Sequence, residues 1–432
     1  MRNIVSNLYA DYLRYIDRFR AIPWETDMLK PVERRTLLTV HEVAKGKFVK
    51  SAKVVGSVLG NYHPHGEASC VDVLVGMVQN GWVEGQGNWG TDKAKDYIKA
   101  ASSRYTECKA LKFLDDGFSE FLDFVPWEEF EYANEPHFLP FYLPIGLIGE
   151  GLIQGISLHT TKIPRYKFED LLTRLYELIT DSDTKTIIIP NIENNDIFED
   201  QPGELEKILS TGEGIVYAIP KYKVINNCIY VYGKSPISKF NKLDAFNEKY
   251  DKDNGKEFAT IIDSSDTKLE IIISPKKGNC DKKFVETIMD LVISKIHVKC
   301  NVVVADGTVL QKGIDEILLN CFNKWKTAYL AKITKDLNLL NTKLDEFNII
   351  LVIRGILTAN PNVKLIKDIC NLNTSQYSND EIERVCSKHR IKTLIEAHVD
   401  IPALQKTIVD TQNEIQNIDI FTIKRIETLL GK

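Results

Sequence analysis

The stretch ASSRYTE sets Arg104 directly before Tyr105 among small polar residues. A tyrosine hydroxyl, with an ordinary pKa of about 10, is a poor nucleophile at neutral pH unless cations or a base favour its phenolate. When such an oxygen attacks a phosphodiester, negative charge builds on the phosphoryl oxygens, and a neighbouring guanidinium can hold it through paired hydrogen bonds. Arg104 and Tyr105 are therefore candidates for phosphoryl transfer. Taken alone, the pair also has the appearance of most Arg-Tyr dipeptides, which are surface or snorkelling residues.

Three further stretches could serve the same chemistry. In NYHPHGEAS, His63 and His65 flank Pro64 on a turn that opens a helix, a place where two imidazoles could meet a phosphate or a metal. In RAIPWETDMLKPVERR, the residues Arg20, Lys30, Arg34 and Arg35 gather around prolines that fix the backbone. Phosphate contacts or a solvated basic face both account for that cluster. VEGQGNWG has three glycines but neither a strand–GxGxxG–helix setting nor a GK[ST] ending, so it is no ATP loop.

These residues need elements to hold them. Ile4, Leu8, Tyr12, Tyr15 and Phe19 fall at helical spacing and predict an amphipathic N-terminal helix over 1–20 that seeks a partner surface. FVKSAKVVGSVLG reads as a helix ended by Gly60, and GEASCVDVLVGMVQNG as a second helix after a tight YHPHG turn. Two helices across a short turn in a basic setting suggest a winged helix-turn-helix, with any small helical domain as the plainer alternative. Between 125 and 313, TKTIIIP, GIVYAIPKYKVINNCIYVYG, KLEIIIS and VKCNVVVADGTVLQKG read as strands. Beyond them, Leu330, Ile333, Leu337, Leu340, Leu344, Phe347 and Leu351 form a heptad seam. Leu404, Ile408, Ile415, Ile418 and Leu429 form a second, less regular one. The pair suggests a long antiparallel coiled coil with a helical knob, or else a compact helical bundle.

With 432 residues, 44% hydrophobic and 27% charged, the chain can bury cores for two to four domains. Its net charge of −5 argues against nucleic-acid binding over the whole surface. The charge is uneven, however: residues 1–110 hold 16 lysines and arginines against 12 acids, a net of +4, which leaves −9 for the rest. The eight cysteines show no CxxC pair and no Cys/His cluster, which reads as free thiols in a reducing compartment. No apolar run suits a signal peptide or a bilayer span, and the expected location is the cytoplasm.

In sequence order, RAIP, LKPVERR, VVGSVLGNYHPHGEAS, VEGQGNWG, ASSRYTE, EPHFLPFYLP and EGLIQGIS resemble the breakage-reunion (A-type) subunit of type IIA DNA topoisomerases. The short, split-subunit layout is most similar to the medium subunit of T4-like bacteriophage topoisomerases, whose cytoplasm would be that of the bacterial host. The resemblance implies an α+β multidomain chain: a partner-docking helix (1–20), a winged-helix cleavage domain (21–124), a β-rich tower (125–313), and a coiled coil with a helical C-gate (314–432). By the same resemblance Tyr105 is the nucleophile that joins the 5′ phosphate, Arg104 and Arg20 are active-site arginines, and Lys30, Arg34 and Arg35 contact the DNA backbone. His63 and His65 lie near the scissile strand, and Leu152 is the apolar wedge that bends DNA, although a buried core leucine would also fit. Ala68 and Asp72 occupy the positions where many bacterial relatives anchor the magnesium of quinolone drugs.

The implied partners are double-stranded DNA, a second copy of the chain, and an ATPase/Toprim subunit that binds both Mg²⁺ and ATP, with no membrane involved. No acidic metal motif, P-loop or ATPase domain is legible, and no DNA-wrapping domain is expected. The implied function is double-strand cleavage and religation within an ATP-dependent topoisomerase that relaxes supercoils. Two other functions stay open at this point: a metal-dependent tyrosine nickase with His63 and His65 as ligands, and a non-enzymatic winged-helix protein dimerised by its coiled coil. Pro64 and Gly66 disfavour the nickase, because they set the histidines in a turn rather than a strand.

Overall fold

Helix α1 (Arg2–Ile16) runs into a π-helical turn, Asp17–Ala21, closed by the Ile22 amide donating to the Asp17 carbonyl at 3.2 Å. The computed structural model describes the chain apart from residues 1, 91–98, 131–132, 184, 193–194, 233–236, 265–269, 364, 390–393, 395–399 and 432. The side chains of 2–7, 237–241 and 263 are also outside the description, and Ile4 of the N-terminal stripe is among them. The chain divides into two compact units, Met1–Lys326 with Ile426–Lys432, and Thr327–Arg425.

The first unit holds the candidate site. Helix α2 (Pro31–Ala44) starts on a proline, whose missing N–H costs nothing in a first turn, and ends at Lys45 in the left-handed region. Strand β1 (Val49–Lys50), helices α3 (Ser51–Asn61) and α4 (Glu67–Gln79), and strands β2 (Val83–Gln86) and β3 (Glu107–Ala110) follow. The strands pair antiparallel in the order β1-β3-β2, and α2 packs on both α3 and α4. The helices meet because Leu37, Val40, Val54, Val58, Leu74 and Met77 are buried, each contributing roughly 1.5–3 kcal/mol over an exposed side chain.

Helix α5 (Lys112–Ser119) leads to a hairpin of β4 (Trp127–Phe130) and β5 (Ala133–Pro136). Strands β6 (Leu152–Ile156) and β7 (Thr160–Pro164), helix α6 (Phe168–Ile179), strand β8 (Asn195–Glu199), helix α7 (Glu204–Thr211) and strand β9 (Glu213–Pro220) come next. Strands β10 (Tyr222–Ile225) and β11 (Cys228–Val231), helix α8 (Ile237–Asn254), strands β12 (Ala259–Asp263) and β13 (Ile271–Pro275), and helix α9 (Lys282–Val292) form a subregion with its own core of Ile229, Ile271, Ile273 and Ile288. Strand β14 (Ser294–Lys299) completes a five-stranded sheet in the order β6-β7-β14-β9-β8. A short hairpin, β15 (Asn301–Val303) and β16 (Val309–Gln311), precedes helix α10 (Ile314–Ala359).

TKTIIIP is a correction to the strand reading. Residues 185–190 belong to no strand, and Ile187 and Ile189 are half exposed around a buried Ile188. The β-branched run has the propensity of a strand but no neighbouring ladder to join.

In the second unit α10 carries the heptad seam, of which Ile333 is buried and Leu351 exposed. Ile349, Ile353 and Leu357 of α10 pack against Ile369 of α11 (Ile366–Asn371) and against Ile382 and Val385 of α12 (Asn379–Lys388). Ser378 and Glu381 cap α12 reciprocally. Of the second seam, Leu404, Ile408 and Ile415 lie on the helix Ile401–Gln416 and Ile418 opens the helix Ile418–Leu429, whose Leu429 belongs to the first unit; within the second unit Tyr329 hydrogen-bonds Glu414.

Candidate active site

Tyr105 stands on a turn whose backbone is locked. Its amide donates to the Ser102 carbonyl at 2.8 Å, and the first amides of α3, those of Ser51 and Ala52, donate to Thr106 and Ser103 at 3.0 and 3.1 Å. The Thr106 hydroxyl donates to Ser51 Oγ at 2.9 Å, and β3 then leaves the turn between β1 and β2. The phenol itself is 65% exposed, with the Arg104 guanidinium carbon 4.9 Å from its ring centroid. An exposed oxygen on a fixed turn, beside one cation, suits attack on a substrate that arrives from outside.

Arg20, His63 and His65 come together with Arg35. Arg20 lies exposed on the π-turn and donates to Nε2 of His65. The His65 ring stacks on His63 with centroids 4.7 Å apart. His63 Nδ1 accepts from Arg35 Nη1 at 3.0 Å, and Arg35 Nε donates to Glu135 at 2.8 Å. Burial first, then the guanidiniums of Arg35 and Arg20, pull His63 down to about 4, and burial also lowers His65. Both imidazoles are thus neutral acceptors at neutral pH, and the row presents one outward charge, that of Arg20.

Two expectations need correcting here. Arg34 and Arg35 are not exposed phosphate contacts, for both are buried at 2% and 1% exposure. Arg34 donates to both Asp27 carboxylate oxygens, at 2.7 and 3.0 Å, and Asp27 also accepts from the amides of Leu29 and Leu139 at 3.1 Å each. A guanidinium neutralised in the interior welds α2 to its neighbours and leaves no charge for a phosphate. Arg35 backs His63 in the same way, and burial raises its partner Glu135 despite the cation.

Lys30 also works internally, since its Nζ donates to the Gln154 carbonyl at 2.6 Å and burial lowers its pKa. That contact bolts the hairpin of β6 and β7 to α2. Leu152 opens the hairpin, half-buried and opposite Pro164. At Gly155 a Cβ would lie 2.1 Å from the Ala21 carbonyl oxygen, so only glycine lets β6 approach the π-turn this closely. Asp17, buried on that turn, accepts from His159 Nδ1 at 2.7 Å. Ala68 and Asp72, four residues apart, share an exposed face of α4.

The two groups of residues hang from opposite ends of α3. The tyrosine turn is tied to Ser51 and Ala52, whereas His63 and His65 follow Asn61. Eleven residues of helix separate those ends by about 16 Å.

Sequence reading passed over Asp17, Asp27, Glu135, Gly155 and His159. Asp27 and Glu135 do lie within the basic and EPHFLPFYLP stretches, and acids set among buried arginines would have signalled pairing. The contact of His159 with Asp17 spans 142 residues and leaves no local trace.

The DNA gyrase/topoisomerase IV A-subunit family matches residues 20–432. Among individual relatives, the DNA topoisomerase 4 A-subunit of Salmonella typhimurium is 27% identical over 359 residues, 74% of this chain and 45% of its own length. The Escherichia coli K12 protein of the same name is 34% identical over 229 residues, covering 49% of this chain and 29% of that protein. The DNA gyrase A-subunit of Helicobacter pylori is 29% identical over 351 residues, 74% of this chain and 39% of its own. The chain thus spans less than half the length of the relatives it matches.

Proposed function

Because the chain belongs to the DNA gyrase/topoisomerase IV A-subunit family, we propose that it is the DNA-cleaving and rejoining subunit of a type IIA topoisomerase. Tyr105 Oη gives up its proton to solvent and attacks the scissile phosphorus. The bond from phosphorus to the 3′ oxygen breaks as the new bond to Oη forms, the 3′ oxygen takes a proton from solvent, and the 5′ phosphate stays on the tyrosine. Religation reverses each change. One phosphodiester replaces another, so the break stores its own bond for resealing.

Arg104 and Arg20 hold the charge on the phosphoryl oxygens. His65, as a neutral acceptor, orients Arg20, while His63, Arg35 and Glu135 brace His65 from behind. One copy spreads the tyrosine turn and the arginine–histidine row along α3, and a second copy facing the first closes that gap at each of two cut strands. In this reading 1–20 docks a partner, 21–124 is the winged-helix cleavage domain with α4 as its recognition helix, 125–313 is the tower with Leu152 as a DNA wedge, and 314–432 forms the coiled coil and C-gate of the homodimer. Ala68 and Asp72 then stand where a quinolone's magnesium would be held.

Among the described residues no three His, Cys, Asp or Glu side chains gather as a metal site requires. The proposal assigns Mg²⁺ and ATP to a partner ATPase/Toprim subunit. The bacteriophage-type layout and the cytoplasmic setting are parts of the same proposal. No helix described is long and apolar enough to cross a membrane.

The observation that carries the proposal is the exposed Tyr105 on its locked turn with Arg104 beside it. Denaturant added during reaction with duplex DNA and the partner subunit should trap protein covalently on both strands, and Tyr105→Phe should trap none while binding DNA nearly as tightly. Adduct on one strand only would favour the nickase, and adduct on neither a binding protein. The nickase is already disfavoured, because His63 Nδ1 and His65 Nε2 accept from guanidiniums where metal ligands would need free lone pairs.

A further inference from the structure

The five-stranded sheet buries one face through Ile153, Ile163, Val216, Ile296 and Val298. Register fixes what shares the other face. Gln154 stands opposite Lys162, Lys162 opposite Lys299, and Ile156 opposite Thr160. Gln154, Thr160 and Lys299 are exposed and Lys162 half-buried, and exposed His297 and Lys295 follow Lys299 at period two along β14. Lys295 has Asp200 at 3.6 Å, but neither Lys162 nor Lys299 has an ion-pair partner among the described residues. Glu213 is the cross-strand neighbour of Lys299, yet its carboxylate lies at 3.5 Å from Gln311 Nε2.

At the end of this cationic row sits the most exposed large apolar side chain described, Ile156, at 81%. It lies on the same face of β6 as Leu152, four residues and about 13 Å further along. The strand beneath it cannot yield easily. Gly155 abuts the backbone next to Arg20, Lys30 grips the Gln154 carbonyl, and Ser157 and His159 are tied to Leu13 and Asp17. Two unpaired lysines and a rigidly backed isoleucine match the two parts of a duplex groove, its phosphate rims and its apolar base edges.

We propose that this outer face receives the duplex beyond the cleaved step, with Lys162 and Lys299 on its phosphates and Ile156 inserted as a second wedge alongside Leu152. The inference rests on the cleavage reading for its ligand and adds a DNA-bending residue to it.

The test is energy transfer between the ends of a short labelled duplex bound by the 432-residue chain, with affinity measured across a salt titration. Ile156→Ser should lose a clear part of the transfer gained on binding, Leu152 keeping the remainder, and several-fold in affinity at unchanged salt slope, and Ile156→Leu should behave as wild type. Lys162→Ala with Lys299→Ala should flatten the slope of log affinity against log salt by roughly 1.8, about 0.9 per lost phosphate contact. Bending by Ile156→Ser equal to wild type, or an unchanged slope in the double variant, overturns the proposal. Equal loss in Thr160→Ala overturns it too, since that would trace the effect to damage of the ribbon. Covalent trapping run in parallel separates the two readings. Adducts with no change in bend or slope defeat this inference alone, and altered bend and slope without any adduct defeat the cleavage reading alone.

Discussion

Replacing Gly155 by alanine adds one methyl group where two backbones touch. Its Cβ would lie 2.1 Å from the Ala21 carbonyl oxygen and 3.0 Å from the carbonyl carbon, with Thr161 Cγ2 also at 3.1 Å. Side-chain carbons essentially never come within 3.0 Å of such an atom, so β6 and the π-turn must part by about 0.9 Å. No rotamer change relieves the contact, because the obstructing atoms are main chain. Overpacking of this kind costs about 1–3 kcal/mol. The carbonyl that gives way adjoins Arg20, so the guanidinium moves against His65, and a misplacement of about 1 Å typically costs on the order of a hundredfold in rate. Gly155→Ala should therefore lower the urea midpoint and slow covalent adduct formation by roughly that factor in the same protein. Gly56→Ala is the control. Its Cβ meets nothing within 4 Å in the middle of α3, and alanine there should stabilise by up to about 1 kcal/mol without slowing cleavage. If Gly155→Ala melts and cleaves within a few fold of wild type, the hairpin does not position Arg20.

Arg104→Ala should bind DNA slightly less well but cleave about a hundredfold or more slowly, read as adduct formed per unit time; a rate near wild type would make Arg104 an ordinary surface residue. Arg35→Met should cost about 3–5 kcal/mol in urea unfolding by stranding the buried Glu135, and adding Glu135→Leu should recover most of it. No recovery would place the loss at His63 instead. His63, held at about 4 against an ordinary 6.5, resists its proton in the folded state, so its share of stability is whole above 6.5 and is lost as the pH falls toward 4. His41, raised by its hydrogen bond to Asp115, acts in the opposite sense, adding stability below 6.5 that fades as the pH rises through its own value. The difference between wild type and His63→Asn isolates the first effect and should change across 6.5 to 4; a constant difference would refute it.

Local pattern carried much of this fold. The alternation in GIVYAIPKYKVINNCIYVYG gave β9, β10 and β11, and the heptad leucines gave the long helix, because both depend on a period that neighbouring residues display. TKTIIIP failed since a strand also needs a partner, which no short window of sequence reveals. The site was legible in residue type more than in exposure. Arg20 and Tyr105 are exposed, whereas Arg34 and Arg35 turned inward toward acids up to 100 residues away. Charge in a sequence tells what a side chain can hold, and burial decides what it does hold.

Helix α3 behaves as a ruler between the tyrosine turn at its start and the histidines at its end, and rulers tolerate no change of length. A single residue inserted or removed between Ser51 and Asn61 would shift one end by about 1.5 Å and rotate it by about 100°. His63 would then swing off Arg35, and His65 off Arg20. Length variation that this scaffold survives must therefore fall outside α3, where added residues lengthen the path without turning either half of the site.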